Sequence, residues 1–181
     1  PSFSAPDGFE TYLAECGFDV FLAANNHIFD KGAKGAERTL EKYRALQQTH
    51  GIMFTGLAGN EEELEQTTPL VTIVKGVRLA MINFTYGTNQ GCGKTWPKTN
   101  YTSDMLRLAD GFKKAEEMPA DFVIALPHWG IEYSTKADSS QRELAEDMCS
   151  WGTDLIIGSH PHLIEPAEWI ETKNGNRMFV Y

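Results

Sequence analysis

Residues 158–162 read Gly-Ser-His-Pro-His, directly after the apolar run "TDLII". Two imidazoles one residue apart have two chemistries open to them. They can ligate one or two divalent cations, or they can serve as hydrogen-bonding groups in an ordinary turn. Two more stretches have the same form: "FDVFLAA" runs into Asn25-Asn26-His27, and "DFVIALP" runs into His128-Trp129-Gly130. Neutral imidazole binds Zn, Mn, Fe or Ni through either ring nitrogen. Pro161 stiffens its loop and biases the residues before it away from helix, and Gly158 permits close backbone approach. Each stretch alone has a plain structural alternative, because Asn tolerates left-handed turns and a strand-end His commonly bonds its own loop. The coincidence of three such stretches is what points to a metal.

The elements that must position these residues follow from the apolar pattern. Residues 18–24 are a short, almost wholly apolar run, read as a strand buried on both faces. Residues 34–49 place Leu40, Tyr43 and Leu46 on one helical stripe, Gly51 ends that helix, and residues 52–56 form the next strand. Strand, loop, helix, strand favours parallel pairing with a crossover. An acidic connector, "GNEEELEQTTP", leads to a hairpin in which "LVTIV" and "VRLAMINFTY" flank Lys75-Gly76. Residues 87–100 form a long Gly-, Asn-, Thr- and Lys-containing loop, of a length often kept for function.

A helix over 103–116 carries Met105, Leu108, Phe112 and Ala115 in register, a strand spans 121–130, and a helix over 139–151 carries Leu144, Met148 and Trp151. A short helix at 8–16, with Phe9, Leu13 and Cys16 on one face, opens the chain, and a hairpin across Asn174-Gly175 closes it. Alternating strands and helices define an α/β fold. In open α/β sheets ligands bind beyond the carboxyl ends of the strands, so Asn26, His27, His128, His160 and His162 are predicted to gather at one sheet edge. Of the five histidines, only His50 falls elsewhere, at a helix end where a cation suits the dipole.

Composition bounds the partners. The 181 residues suffice for one domain with a real core. A formal charge of −9 repels phosphate backbones and argues against nucleic acid as a general partner, although bound divalent ions dominate the field of their own site. Three scattered cysteines form neither a disulfide framework nor a zinc ribbon; Cys16 and Cys149 read as small core residues and Cys92 as a loop residue. No apolar run approaches the ~20 residues of a spanning helix. The chain opens without an initiator Met and ends on the apolar "RMFVY", so it is expected to be a piece of a longer protein.

Two long stretches, "DVFLAANNHIFDKGAKGAERTLEKYRALQQTHGIMFTGLAGN" and "LPHWGIEYSTKADSSQRELAEDMCSWGTDLIIGSHPHLIEP", resemble the capsule-synthesis protein CapA family, associated with poly-γ-glutamate synthesis. The shared motifs are Asn-Asn-His with Asp30 and Gly32, His-Trp-Gly-x-Glu-Tyr, and Gly-x-His-Pro-His with Glu165-Pro166. The resemblance implies a calcineurin-like metallophosphoesterase fold, an αββα layered sandwich, with residues 1–181 forming one domain that lacks its N-terminal portion. It implies Asn26, His128, His160 and His162 as metal ligands for Mn, Fe or Zn, and His27 as the residue that faces the leaving group or stabilises the transition state. Glu132 and Glu165 are implied to hold histidines or to bind substrate. Acidic ligands supplied by an earlier Gly-Asp and an Asn-Leu-Glu stretch in the family are not among these residues, and neither is the family's later Tyr-Ser-Leu-Gly-Asn.

On this resemblance the protein is expected at the cell envelope, exported or lipid-anchored, acting as a metal-dependent hydrolase on a phosphoester or a γ-glutamyl amide. The alternative is a non-catalytic envelope protein that binds or passes an anionic polymer. Asp30 has two roles open, orienting His27 or capping the following helix. Trp129 and Tyr133 either wall the site or pack, and Lys94 and Lys98 either attract an anion or are solvated.

Overall fold

The computed structural model describes residues 2–93, 96–172 and 175–180. Helix α1 (Phe9–Glu15) leads to strand β1 (Val20–Leu22), the long helix α2 (Gly32–His50) and strand β2 (Met53–Thr55). β1 and β2 pair in parallel as a two-stranded sheet, as the strand–helix–strand pattern requires. α2 lays Leu40 and Leu46 into a core with Phe21, Phe29 and Phe54, and Tyr43 packs against it. Burying side chains of this size stabilises by about 1.5–3 kcal/mol each before entropy is counted. β1 is not buried on both faces, however: Leu22 is 44% exposed, and Phe18, Phe9 and Tyr12 are exposed too. In a two-stranded sheet with helix α2 on one face, the other face of the run has no covering layer within the described residues.

Strand β3 (Leu57–Ala58) follows, and then helix α3 (Glu61–Thr67) occupies what the sequence suggested was a connector. Asn60 caps it, its side chain accepting from the Glu63 amide, and three glutamates fill the first turn, where the helix dipole favours negative charge. β4 (Leu70–Val74) and β5 (Val77–Thr85) form the expected antiparallel hairpin, with Lys75 and Gly76 both at positive φ as a tight hairpin turn demands. Within the long loop, β6 (Lys98–Thr99) pairs with β3.

Helix α4 (Met105–Glu117) and helix α5 (Ser139–Ser150) alternate in sequence with β7 (Phe122–His128) and β8 (Leu155–Ile157). β9 (Ala167–Thr172) and β10 (Gly175–Val180) pair as an antiparallel hairpin; its Asn174 lies outside the described residues. The large sheet has the order β4-β5-β7-β8-β10-β9, with β5, β7, β8 and β10 parallel. Its core gathers Ile82, Phe84, Leu108, Phe112, Ala125, Met148 and Ile156. Cys149 is buried there, whereas Cys16 is exposed, because α1 is a short helix with no buried residue. No helix of the described residues is long and apolar enough to cross a membrane.

Candidate metal centre

β7 and β8 run in parallel, and an isolated bridge beyond β8 joins His128 to Ser159. Ser159 N donates to Pro127 O at 2.9 Å and Trp129 N donates to Ser159 O at 3.0 Å. These bonds fix the loop that carries His160 and His162 against the end of β7. The rings of His128 and His160 lie 4.8 Å apart between centroids, and those of His160 and His162 6.4 Å apart.

Both histidines of that loop hold left-handed backbone, φ 104° at His160 and 62° at His162. Residues with a Cβ avoid this region, at a cost of order 1–3 kcal/mol each, and it persists where surrounding bonds over-determine it. Tyr133 N, itself at φ 64°, donates to Pro161 O at 2.7 Å and is one such bond.

The third stretch arrives from the small sheet. Ala23 N donates to Thr55 O at 2.9 Å, Asn25 Nδ2 to Ala23 O at 3.0 Å, and His27 N to Asn25 Oδ1 at 2.9 Å. That turn buries Asn26 to 4% exposure and sets its Oδ1 3.0 Å from His128 Nε2. On its other side His128 Nδ1 meets Ser159 Oγ at 3.0 Å. A carbonyl oxygen only accepts, so a neutral His128 carries its proton on Nε2 and accepts from Ser159 at Nδ1.

Burial first, and then the charges of His160, His27 and His162, push the His128 pKa down to about 4. Burial also lowers His160; the Glu132 carboxylate opposes that and His162 and His27 add to it. Neutral imidazoles are what ligation needs.

His27 is held differently. Its Nδ1 lies 2.7 Å from Asp30 Oδ2, whose side chain is only 2% exposed while that of His27 is 28% exposed. Asp30 Oδ2 also accepts from Phe3 N at 2.7 Å, and the Phe3 ring meets the His27 ring edge-on at 4.5 Å. Burial alone would raise the Asp30 carboxyl, but the Phe3 amide and His27 hold it below its ordinary value. Lys31, not Asp30, is the N-cap of α2, and no side chain caps there, so Asp30 orients His27.

The structure therefore brings Asn26, His128, His160 and His162 together, with His27 and Asp30 attached through the Asn25–His27 turn. The donor set, one amide oxygen and three imidazoles, fits a divalent transition metal. Among the described residues no group of three His, Cys, Asp or Glu is drawn in around one point.

Glu165 is not placed against a histidine. It is 2% exposed and its Oε2 accepts from Gln141 Nε2 at 2.9 Å, fastening the end of the histidine loop to the first turn of α5. Glu132 is exposed and acts on His160 through its charge. Trp129 is buried in the large-sheet core and is a packing residue, while Tyr133, 71% exposed, lies 5.4 Å from the His162 ring. Lys98 sits over the Trp96 ring, and Lys94 lies outside the described residues. Cys92 is half-buried, its Sγ 3.3 Å from Pro97 O.

Two residues of this site were not singled out from the sequence. Tyr86 N donates to His128 O at 2.9 Å, and its ring lies 4.8 Å from that of His160. Asn89 N donates to Asn26 O at 2.7 Å, and its side-chain nitrogen lies 3.4 Å from His27 Nδ1. Asn89 lies in the long loop, whose length was the available signal; Tyr86 directly precedes it, at the end of the run read as a strand.

Comparison with known proteins identifies the family and the fold. The family described as "Bacterial capsule synthesis protein PGA_cap" matches residues 1–181. The chain is 31% identical over 157 residues to the capsule biosynthesis protein CapA of Bacillus anthracis, covering 84% of this chain and 37% of that protein. It is 31% identical over 169 residues to the PGA biosynthesis protein CapA of Bacillus subtilis (strain 168), covering 92% and 42%. It thus spans about two fifths of the length of these relatives. Among solved structures it is similar to a 5'-nucleotidase precursor from Thermus thermophilus, with TM-score 0.54 and 12% identity over 96% of this chain and 36% of that one. That likeness is one of fold: the architecture is the calcineurin-like phosphoesterase fold.

Proposed function

The chain belongs to the PGA_cap family of bacterial capsule synthesis proteins, and from that premise we propose that it carries the histidine-bearing part of a metal-dependent hydrolase centre serving the capsule at the cell envelope. The observation that supports this most is the Asn26 Oδ1–His128 Nε2 approach at 3.0 Å between two separate sheets, beside His160 and His162. Asn26, His128, His160 and His162 would hold Mn, Fe or Zn. Such ions supply Lewis-acid polarisation of an ester or amide oxygen and a lowered pKa for water.

The chain's own residues do the rest. Asp30 occupies His27 Nδ1, which leaves Nε2 as the atom that gives a proton to a leaving group or stabilises its developing charge. Asn89 and Phe3 confine that ring from two sides. Tyr86 and Tyr133 stand beside His160 and His162 and shape the approach of substrate. The substrate is an anionic polymer of the poly-γ-glutamate type or a phosphoester, and both cleavages use the same groups.

The test is metal stoichiometry together with turnover by the natural full-length protein on phosphodiester and γ-glutamyl substrates. Stoichiometric metal, with uptake and turnover both lost in His128→Ala and His160→Ala, supports the proposal. No metal, unchanged variants and saturable polymer binding favour a non-catalytic polymer-binding role.

A further inference from the structure

β5 is an apolar strand with one amide in its buried stretch, Asn83, which is 2% exposed. Its side chain ties together two elements that belong to different sheets. Asn83 Oδ1 accepts from Ala24 N at 2.8 Å, two residues before Asn26. Asn83 Nδ2 donates to Leu126 O at 2.8 Å, two residues before His128. The backbone is pinned as well: Asn100 Nδ2 donates to Asn83 O at 3.0 Å, and Asn100 O accepts from Thr85 N at 2.9 Å.

Gly56, at φ 89°, makes room for this clasp, since a Cβ there would collide with Asn83 Oδ1 and the Ala24 nitrogen. Asn alone fits both arms at this length. Its amide presents one acceptor to a backbone N–H and one donor to a backbone C=O, whereas ionised Asp offers no donor and Leu neither group.

We propose that Asn83 is a positioning residue that sets the distance between the Asn26 turn and the His128 ring. The inference rests on Asn26 and His128 belonging to one centre, and it assigns their spacing to a residue bonded to neither. A buried amide with both arms satisfied defines one geometry; with the arms lost, Ala24 N loses its side-chain acceptor and Leu126 O its side-chain donor, and the two loop ends can relax apart.

The test does not depend on a metal. Imidazole ring-nitrogen NMR is recorded on the metal-free protein at neutral pH for wild type, Asn83→Ala and Asn83→Asp. Asn83→Asp keeps the volume and the acceptor for Ala24 N, so it carries the test if Asn83→Ala does not fold. Thr55→Val is the control, because it removes a different buried hydrogen bond, Thr55 Oγ1 to Thr67 O at 2.7 Å, from the small sheet.

The expected result is that His128 loses its hydrogen-bonded Nε2–H signature in the Asn83 variants. His50 should be unchanged, and Thr55→Val should leave His128 in place. A folded Asn83 variant with wild-type His128 signals overturns the proposal, and so does an equal shift in Thr55→Val. Cobalt(II) titration of the same samples separates the two levels. Wild-type protein that takes up no cobalt refutes the metal centre and leaves the NMR result for Asn83 standing. Cobalt affinity at least about tenfold weaker in the Asn83 variants than in Thr55→Val supports both.

Discussion

Asp30 is a buried carboxylate that holds the His27 ring and accepts from the Phe3 amide. Residues that orient a functional imidazole typically cost about 10- to 100-fold when removed. Asp30→Asn in the full-length protein is therefore expected to lower kcat by about that factor while leaving metal stoichiometry intact, since Asp30 is not among the proposed ligands. Steady-state kinetics with metal analysis on the same sample checks this, and an unchanged kcat would remove Asp30 from the machinery. The role was half legible in the sequence. Asp three residues after His fits either a helix cap or a histidine partner, and the start of α2 at Lys31 together with the short His27–Asp30 contact decides between them.

At the scale of elements, α5 is fastened where the site needs it. Asp138 and Gln141 form a reciprocal capping box at its start, and Gln141 also reaches Glu165. Asp138→Ala should destabilise by about 1 kcal/mol. Burial tends to raise the Asp138 carboxyl, but its bonds to Ser140 and Gln141 prevail and lower it relative to the unfolded chain. Its contribution is thus fully present above the ordinary unfolded carboxylate value and fades as pH falls through the lower folded value. Denaturation of wild type and variant at neutral and acidic pH should show the gap closing on acidification. Gly130 sits at φ 89° with its missing Cβ site 2.9–3.0 Å from the Gln141 amide, so Gly130→Ala should cost more than about 1 kcal/mol and disturb the loop after His128. A thermal midpoint equal to wild type would contradict that. Much at this scale was readable beforehand: the stripe of α2, the Lys75-Gly76 turn, and the three strands at or beyond whose ends the histidines lie. α3 was missed although Asn60 followed by three glutamates is a helix start, because a run of acids reads as solvated chain when no apolar stripe accompanies it. The exposed face of β1 was also missed, since an apolar run does not reveal whether a covering layer lies within the same stretch of sequence. Asn83 was overlooked for a related reason. A polar residue inside a buried strand marks a bond across layers, and periodicity does not show to which layer.

These 181 residues carry a formal charge of −9, which opposes the approach of a polyanion to a site proposed to receive one. With divalent metal chelated, binding of a polyglutamate chain should be weak and should strengthen as salt screens repulsion over a Debye length of about 8–10 Å. With metal supplied, binding should be tighter and should weaken with salt, because the attraction then resides at the histidine edge. Fluorescence anisotropy of a labelled polymer across a salt series distinguishes the two slopes, and identical slopes with and without metal would place the polymer elsewhere.

The most direct measurement of the central claim is anomalous diffraction from crystals equilibrated with manganese or zinc. An anomalous peak bonded to at least one imidazole nitrogen of His128, His160 or His162 and to Asn26 Oδ1, at about 2.0–2.2 Å, is the predicted result. Crystals saturated with metal that show the His128–Asn26 hydrogen bond intact and no peak beside these side chains would contradict it.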